Sequence, residues 1–301
     1  MSEDPSPPTK PFLKWAGNKF RVIGEVTKAI QDRKEDRSAY FEPFGGSGAI
    51  IANVGELFDS RTYGEFNPEL VHLMQAMRDN LPTLLKETEK LFDPENNVGD
   101  NYYKIREKFN LSISSANSDL VLKSAQFIYL NRHCFNGLCR YGPNGFNVPF
   151  GRYAKTSAPL DEMKAFAKKM KGVKIPQASS FKTLMAKADK NTLVYCDPPY
   201  FPLTETSNFT QYSSKAGFNE EMQEELANVA AECAKRGAVV LISNHDVPAC
   251  HELYKKTAKR HGIKVDLGHT FLVSRFISSK GKDRGNKAGE LIAVFEAKEV
   301  K

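Results

Sequence analysis

The apolar, β-branched run Thr192-Leu193-Val194-Tyr195 leads directly into Cys196-Asp197-Pro198-Pro199-Tyr200. Such a run stopped by two prolines reads as a buried strand that ends abruptly at the mouth of a sheet. Neither Pro198 nor Pro199 can donate a backbone N–H, and the proline after Asp197 disfavours helical angles there. The loop is therefore stiff. It presents a carboxylate (Asp197), a backbone carbonyl (Pro198) and a flat ring (Tyr200) at one rim. Two acceptors beside a stacking surface suit a planar group with an exocyclic –NH2, such as an adenine or cytosine edge. For Asp-Pro-Pro by itself, a plain strand end and turn is the alternative.

The flanking sequence alternates short apolar segments with helical patterns. Ala39-Tyr40-Phe41 reads as a strand, followed by a glycine turn at 45–48 and a helix from about Ala49. Arg61 to Gly64 reads as a second strand, and Pro68 opens a helix toward Asn80. Over Asn219–Arg236, Met222, Leu226, Val229, Ala230 and Cys233 share one face, Glu220 and Glu221 lie in the first turn, and Gly237 stops the helix. Ala238 to Ile242 and Leu291 to Phe295 are continuous apolar runs that suit covered strands. Strands alternating with helices imply an α/β fold, a mainly parallel sheet with helices on both sides.

The interval 68–159 differs: it is helical and loop-rich, has little strand signal, and mixes basic and aromatic residues such as Tyr102, Tyr103, Arg106 and Phe109. It reads as an inserted domain. The expected organisation is a disordered tail over 1–11, a discontinuous main domain over 12–67 and 160–301, and the insertion between.

Composition narrows the class. The 301 residues carry a net charge of +7, which suits a polyanionic partner, and a hydrophobic fraction of 41% that is ordinary for a globular chain. Five cysteines, an odd number without a Cys-x-x-Cys pair, and the lack of a signal-peptide pattern lead to the expectation of a reducing cytoplasm. The spacing of His133, Cys134, Cys139 and His251 fits no common zinc pattern, so no metal is expected. No apolar stretch approaches the roughly 20 residues that span a bilayer.

Glu42-Pro43-Phe44-Gly45-Gly46-Ser47-Gly48 follows the first strand, where glycines let backbone turn sharply and approach a ligand. A dinucleotide fingerprint would place a small residue three positions after Gly48, where Ile51 stands. Its absence disfavours a pyrophosphate and leaves room for an uncharged nucleoside portion. Glu65, at the end of the second strand, is placed either to accept ribose hydroxyls or to be a solvated loop acid. Trp15, the only tryptophan, sits in Phe12-Leu13-Lys14-Trp15-Ala16-Gly17-Asn18-Lys19 and suits a plug for the sheet or a lid over a flat ligand.

Together these segments resemble the Dam family of DNA adenine-N6 methyltransferases. The resemblance runs from Phe12 to about Phe295. Lys14-Trp15-Ala16-Gly17-x-Lys19 is similar to the family's N-terminal motif, Phe44-x-Gly46-x-Gly48 to its S-adenosylmethionine loop, and Asp197-Pro198-Pro199-Tyr200 to its catalytic motif. Asn131-Arg132, Asn136 to Tyr141 and Phe146 to Tyr153 resemble the target-recognition segment of enzymes acting at GATC. Leu241 to Asp246 and Ser278-Ser279 add matches. Asn18 stands where the family often has glycine; asparagine also accepts left-handed angles. Glu65 replaces a common aspartate, keeping the acceptor and lengthening the reach, and Phe135 replaces a frequent tyrosine.

The resemblance implies a Rossmann-like, S-adenosylmethionine-dependent fold carrying a mainly helical target-recognition domain over 68–159. It implies methyl transfer to adenine N6 in duplex DNA with Asp197, Pro198, Pro199 and Tyr200 at the reacting base. Trp15, Lys19, Phe44, Gly46, Gly48, Glu65, Phe181 and Asp197 would hold the cofactor. Lys14, Arg132, Phe135, Asn136, Leu138, Arg140 and Arg152 would face DNA, Lys14 and Arg140 at guanines, Leu138 at a thymine methyl, and Arg132 and Arg152 at phosphates. A cytoplasmic, prokaryotic or phage-encoded monomer is expected. Two other readings stay open: an α/β methyltransferase acting on RNA or a protein glutamine, and a catalytically silent DNA-binding module.

Overall fold

The structure, a computed structural model, describes residues 7–115, 118–201, 218–274 and 287–298. Ser278-Ser279 and the first six residues of the expected tail lie outside the described residues. The strands are β1 (Ala39–Glu42), β2 (Ser60–Tyr63), β3 (Tyr141–Gly142), β4 (Gly145–Phe146), β5 (Thr192–Cys196), β6 (Val239–His245), β7 (Lys264–Ser274) and β8 (Lys287–Glu296). The helices are α1 (Ile23–Lys34), α2 (Ile51–Val54), α3 (Pro68–Asp79), α4 (Leu81–Leu91), α5 (Gly99–Ile113), α6 (Leu120–His133), α7 (Leu160–Met170), α8 (Phe181–Met185), α9 (Glu220–Lys235) and α10 (Pro248–His261). The chain divides into two compact units.

The unit built from residues 24–45, 57–67 and 173 onward holds a six-stranded sheet of order β2-β1-β5-β6-β8-β7. β2, β1, β5 and β6 are parallel; β8 runs antiparallel to both β6 and β7. The mainly parallel α/β sheet expected from the sequence is present, with an antiparallel pair added at one end. All five residues of β5 and the first six of β6 are buried, as continuous apolar strands require when both faces are covered. Val194, Cys196, Val240 and Ile242 pack with Leu226, Ala227 and Ala230 of α9 in one core.

Helix α9 follows its sequence signals at both ends. Asn219 accepts the Met222 N–H as N-cap, worth about 1 kcal/mol, and Gly237 takes the left-handed backbone at φ +89°. One residue breaks the apolar pattern: Gln223 is fully buried.

The other unit comprises residues up to 23, 46–56 and 68–172. It contains the whole interval 68–159, runs on to Gly172, and takes in two separate earlier segments that the sequence assigned to the main domain. Helix α6 lies at its centre, buried on nearly every side from Lys123 to Asn131 and packed by α3, α4 and α5. The helix expected from Ala49 is only the four residues of α2, followed by a 3₁₀ turn at Gly55–Leu57. The end of the expected tail is held: the Asn53 side chain accepts from Thr9 N–H at 2.7 Å and donates to the Thr9 carbonyl at 3.0 Å, and Pro11 is buried.

Candidate active site and nucleic-acid interface

β1 and β5 are adjacent and parallel, with Phe41 opposite Val194, so both leave the sheet at the same edge. The sheet order then departs from them in opposite directions, toward β2 and toward β6. This is a topological switch point, where open α/β sheets bind ligands beyond the strand C-termini. The glycine turn exits β1 there, and the Asp197-Pro198-Pro199-Tyr200 loop exits β5.

Local contacts shape this edge. Gly45 donates to the Gly64 carbonyl and Gly64 to the Glu42 carbonyl, both at 2.9 Å, tying the loops after β1 and β2 together. A Cβ on Gly45 would lie 2.1 Å from the Tyr63 ring, so only glycine fits. Phe44 is half-buried and stacks on Phe181 with centroids 5.4 Å apart; Phe218 meets Phe44 edge-on at 5.8 Å. Phe181 is thereby nearly enclosed, at 5% exposure. Glu65 is half-buried, and its Oε1 accepts the N–H groups of Phe66 and Asn67 at 2.8 and 3.0 Å, which fixes the carboxylate just before α3. Beside it Phe66, which no sequence motif singles out, is a large exposed aromatic.

The remaining cofactor candidates belong to the helical unit of residues up to 23, 46–56 and 68–172. Gly46 (φ +49°) and Gly48 (φ +71°) have left-handed backbone, and a Cβ on Gly46 would lie 2.9 Å from Trp15 Nε1. The Cβ space of Gly48 is taken by Phe166 at 2.6 Å. These two glycines are thus required by the protein's own rings as well as by the turn. Trp15 is half-buried against Gly46. Lys19 is buried and donates Nζ to the Gly17 carbonyl at 2.8 Å. Asn18 does not use the left-handed region; at φ −54° it caps the 3₁₀ turn by accepting Phe20 N–H, and Gly17 takes φ +75° instead.

In the loop after β5, Asp197 and Tyr200 are half-buried and Pro198 is buried. The Tyr200 hydroxyl donates to Glu290 Oε2 at 3.1 Å, and its ring meets His245 edge-on at 4.9 Å. Burial, then the Asp197 and Glu290 carboxylates, hold the Tyr200 phenol well above the usual tyrosine range. Cys196 is buried, its thiol raised well above the usual value chiefly by burial, which suits a strand residue and not a nucleophile. Gln223 Nε2 donates to the Pro199 carbonyl at 2.6 Å, and Asn244 Oδ1 accepts the Phe201 N–H at 2.9 Å. Gln223 and Glu290 carried no sequence signal; a buried amide in an otherwise apolar helix face is visible only once packing is known.

The DNA-facing candidates all lie in the helical unit of residues up to 23, 46–56 and 68–172. Cys134 pairs with Phe150, Phe135 donates to the Pro149 carbonyl and Gly151 to that of His133, so the turn after α6 and the segment 149–151 form one surface. Phe135 is 49% exposed, and Asn136 (φ +55°) donates its N–H to the Tyr153 hydroxyl at 2.9 Å. Lys14 is half-buried: Nζ donates to the Arg132 carbonyl at 3.1 Å and lies 4.3 Å over the Tyr153 ring. Burial, then the Arg132 charge, lower its pKa. The buried Asn131 side chain grips the Lys14 backbone on both sides, accepting its N–H at 2.9 Å and donating to its carbonyl at 2.7 Å. A Cβ on Gly137 would sit 2.4 Å from that of Lys14.

Arg140 is exposed and donates Nε to Asn147 Oδ1 at 2.7 Å; Arg152 is exposed at φ +54°; Leu138 is half-buried. Arg132 differs from the surface charge expected of a phosphate contact: it is half-buried, and Nη1 donates to the Phe12 carbonyl at 3.4 Å. Asn131, Asn147 and Tyr153 hold these side chains; the sequence placed them in the matching segments without assigning them roles.

Among the described residues there is no group of three or more His, Cys, Asp or Glu side chains able to hold a metal, and no helix long and apolar enough to cross a membrane. The model of the D12 class of N6 adenine-specific DNA methyltransferases matches residues 15–266. The chain is 37% identical over 286 residues to a DNA adenine methylase of Vibrio cholerae, covering 94% of this chain and 95% of that one. It is also 37% identical to the DNA adenine methylase of Escherichia coli K12 over 286 residues, 95% of each chain, and to that of Haemophilus influenzae over 292 residues, 96% of this chain and 94% of the relative. A family match spanning most of the chain, with full-length relatives behind it, settles its membership: this chain belongs to the D12 class of N6 adenine-specific DNA methyltransferases.

Proposed function

We propose that this chain methylates adenine N6 within GATC in duplex DNA, with S-adenosylmethionine as donor, by rotating the target base out of the helix. The observation that carries the reading is the β1/β5 switch point, where the glycine turn and the Asp197–Tyr200 loop leave neighbouring parallel strands at one edge.

The residues at this edge fit the donor. Helix α2, which follows the glycine turn, has four residues and no side-chain cap, a poor seat for a pyrophosphate. The fixed Glu65 carboxylate favours ribose hydroxyls and a cationic ligand over a phosphate. By the family resemblance, Phe44, Glu65, Phe181 and Asp197, with Trp15, Lys19, Gly46 and Gly48, are assigned to the donor. Bound there, it supplies a sulfonium methyl group that adenine N6 takes by direct in-line attack.

The chain's own residues do the rest. Rotating an adenine out of the duplex costs a few kcal/mol, which the Tyr200 face offsets by stacking. Asp197 and the Pro198 carbonyl accept hydrogen bonds from the two N6–H groups and draw the nitrogen lone pair out of conjugation with the ring; the proton that N6 sheds once methylated passes to solvent. The carboxylate also stabilises positive charge that develops on N6, an electrostatic contribution set in place before reaction. Exposed Arg140 suits a guanine edge in the major groove, and exposed Arg152 a phosphate. Phe135 suits the gap left by the rotated base. Lys14 is assigned to the outer guanine and Leu138 to the thymine methyl. Arg132, half-buried on the Phe12 carbonyl, is assigned to a phosphate only through its remaining donors. A monomer acting in a bacterial cytoplasm is the setting this reading supplies.

The test is incubation with methyl-labelled S-adenosylmethionine and duplexes with and without GATC. Label is expected on N6-methyladenine in the GATC duplex alone. Equal label in both duplexes would overturn the site, and label in RNA or protein but not DNA would overturn the substrate.

A further inference from the structure

Pro199 and Phe201, which flank Tyr200, are joined through two buried side-chain amides. Gln223 Nε2 donates to the Pro199 carbonyl at 2.6 Å, Asn244 Nδ2 donates to Gln223 Oε1 at 3.2 Å, and Asn244 Oδ1 accepts the Phe201 N–H at 2.9 Å. Both amides have zero exposure. Their orientations are forced in sequence. Asn244 Oδ1 also accepts the His245 N–H at 2.9 Å, and an atom facing two N–H donors must be the oxygen. The nitrogen of Asn244 then faces Gln223 and the Tyr254 hydroxyl at 3.1 Å. Gln223 must therefore turn its oxygen to Asn244 and its nitrogen to Pro199. Flipping either amide would set like atoms against each other.

Burying two amides in an apolar core is tolerable only when their polar atoms are matched, and packing alone would be served by apolar side chains. Two of the bonds here, to the Pro199 carbonyl and from the Phe201 N–H, are spent on one loop. Gln223 engages the Pro199 carbonyl and not that of Pro198, and so fixes the peptide plane before Tyr200. Asn244 fixes the plane after it. With both planes set, the Tyr200 ring is held by Glu290 and His245, and the Pro198 carbonyl keeps a constant direction beside Asp197.

We propose that Gln223 and Asn244 are positioning residues for methyl transfer: a paired-amide clamp that holds the Asp197–Tyr200 loop in its reactive shape. The inference rests on the reading of that loop as the acceptor of adenine N6. Asn244 lies in the segment matched to the family; the clamp with Gln223 is a property of the packing.

The test is single-turnover methylation of a GATC duplex by the full chain, with separate dissociation constants for duplex and S-adenosylmethionine. Gln223→Leu should slow transfer by about 10- to 100-fold, the scale of a buried acceptor losing its donor, with both dissociation constants within about threefold of native. Gln223→Glu adds a readout that a purely structural role would not move. Ionised, it sets an oxygen against the Pro199 carbonyl; protonated, it donates to that carbonyl and still accepts from Asn244. Burial raises such a carboxyl, so its deficit relative to the native chain should narrow by at least about tenfold between pH 8.5 and pH 6. Asp197, Tyr200, His245, Tyr254 and Glu290 surround the clamp and are common to both proteins, so the ratio of rates cancels their titration. Thermal unfolding of each variant reports whether it is folded. A folded Gln223→Leu with native transfer rate, or a Gln223→Glu deficit independent of pH, would overturn the clamp. Asp197→Ala is run beside them: if it lowers transfer by at least about a hundredfold while a folded Gln223→Leu keeps the native rate, the clamp alone fails, and if it leaves transfer intact, both the loop reading and the clamp fail.

Discussion

The Tyr200 hydroxyl donates to Glu290 Oε2 across 3.1 Å, bonding the loop after β5 to a strand two positions away in the sheet. Burial and the nearby carboxylates keep the phenol protonated well past its ordinary range, so the bond persists across neutral and alkaline pH. Ring and hydroxyl therefore have separable roles. Tyr200→Phe keeps the stacking face, loses one hydrogen bond to the Glu290 carboxylate that does not touch the base, and should slow single-turnover transfer by less than about tenfold. Tyr200→Ala loses a base-stacking face, about 1–3 kcal/mol, and should slow it by roughly 10- to 100-fold. Equal losses in the two variants would place the function in the hydroxyl and not in the ring.

Asp197 is the carboxylate of the loop that leaves β5 at the switch point. Asp197→Ala is expected to keep duplex and S-adenosylmethionine binding within about tenfold while lowering the transfer rate by at least roughly a hundredfold, the scale of losing a charged acceptor at a developing charge. Rapid-quench single turnovers with both ligands saturating make the measurement. A near-native rate would remove Asp197 from the chemistry.

What the sequence disclosed and what it hid divide along physical lines. β5, β6 and α9 were legible because a continuous apolar run, acidic residues in a first turn and a terminal glycine are local signals, and all three elements stand where they were read. The 264–274 strand was not, because Lys264, Asp266 and His269 interrupt its apolar pattern and it is stabilised by antiparallel pairing with β8. The Asp197–Tyr200 loop was legible because prolines constrain their own backbone. Its supports were not: Gln223 is 24 residues and Glu290 90 residues away in sequence from the groups they bind. Arg132 shows the converse. Its place in a basic, aromatic segment suggested a surface contact, but only packing reveals that its guanidinium turns to the Phe12 carbonyl.

His133 supplies a pH dependence of stability. It is buried against Tyr129 at 4.0 Å, and burial, with the charges of Lys14 and Arg132, pushes its pKa down to about 4 despite the bond to the Tyr129 carbonyl. In the unfolded chain a histidine titrates near 6.5. Between those values the unfolded state binds a proton that the native state does not, so stability is complete above about pH 6.5 and is lost as pH falls toward 4, by up to about 3 kcal/mol. His133→Gln, which can still donate to Tyr129, should flatten this loss. Urea unfolding of both proteins at pH 7, 5.5 and 4.5 checks it, and parallel pH dependence in the two would assign the loss to other groups.

In the proposed reading, Arg140 reads a base and Arg152 positions a phosphate, and the two roles separate experimentally. Asn147 occupies Arg140 Nε at 2.7 Å, a contact that does not use the Nη pair needed for a two-pronged bond to guanine O6 and N7. Arg140→Ala should therefore cost about 1–3 kcal/mol on the cognate duplex and relax discrimination at one guanine. Asn147→Ala removes the brace but keeps the reader, and should show the same relaxation to a smaller degree. Arg152→Ala should instead weaken cognate and non-cognate duplexes alike and reduce the salt dependence by about one counterion. Methylation rates on all single-base variants of GATC, each at two salt concentrations, distinguish these patterns. If Arg140→Ala slowed every duplex by one common factor, guanine reading would pass to Lys14, whose ammonium would then have to leave the Arg132 carbonyl and the Tyr153 ring to reach a base.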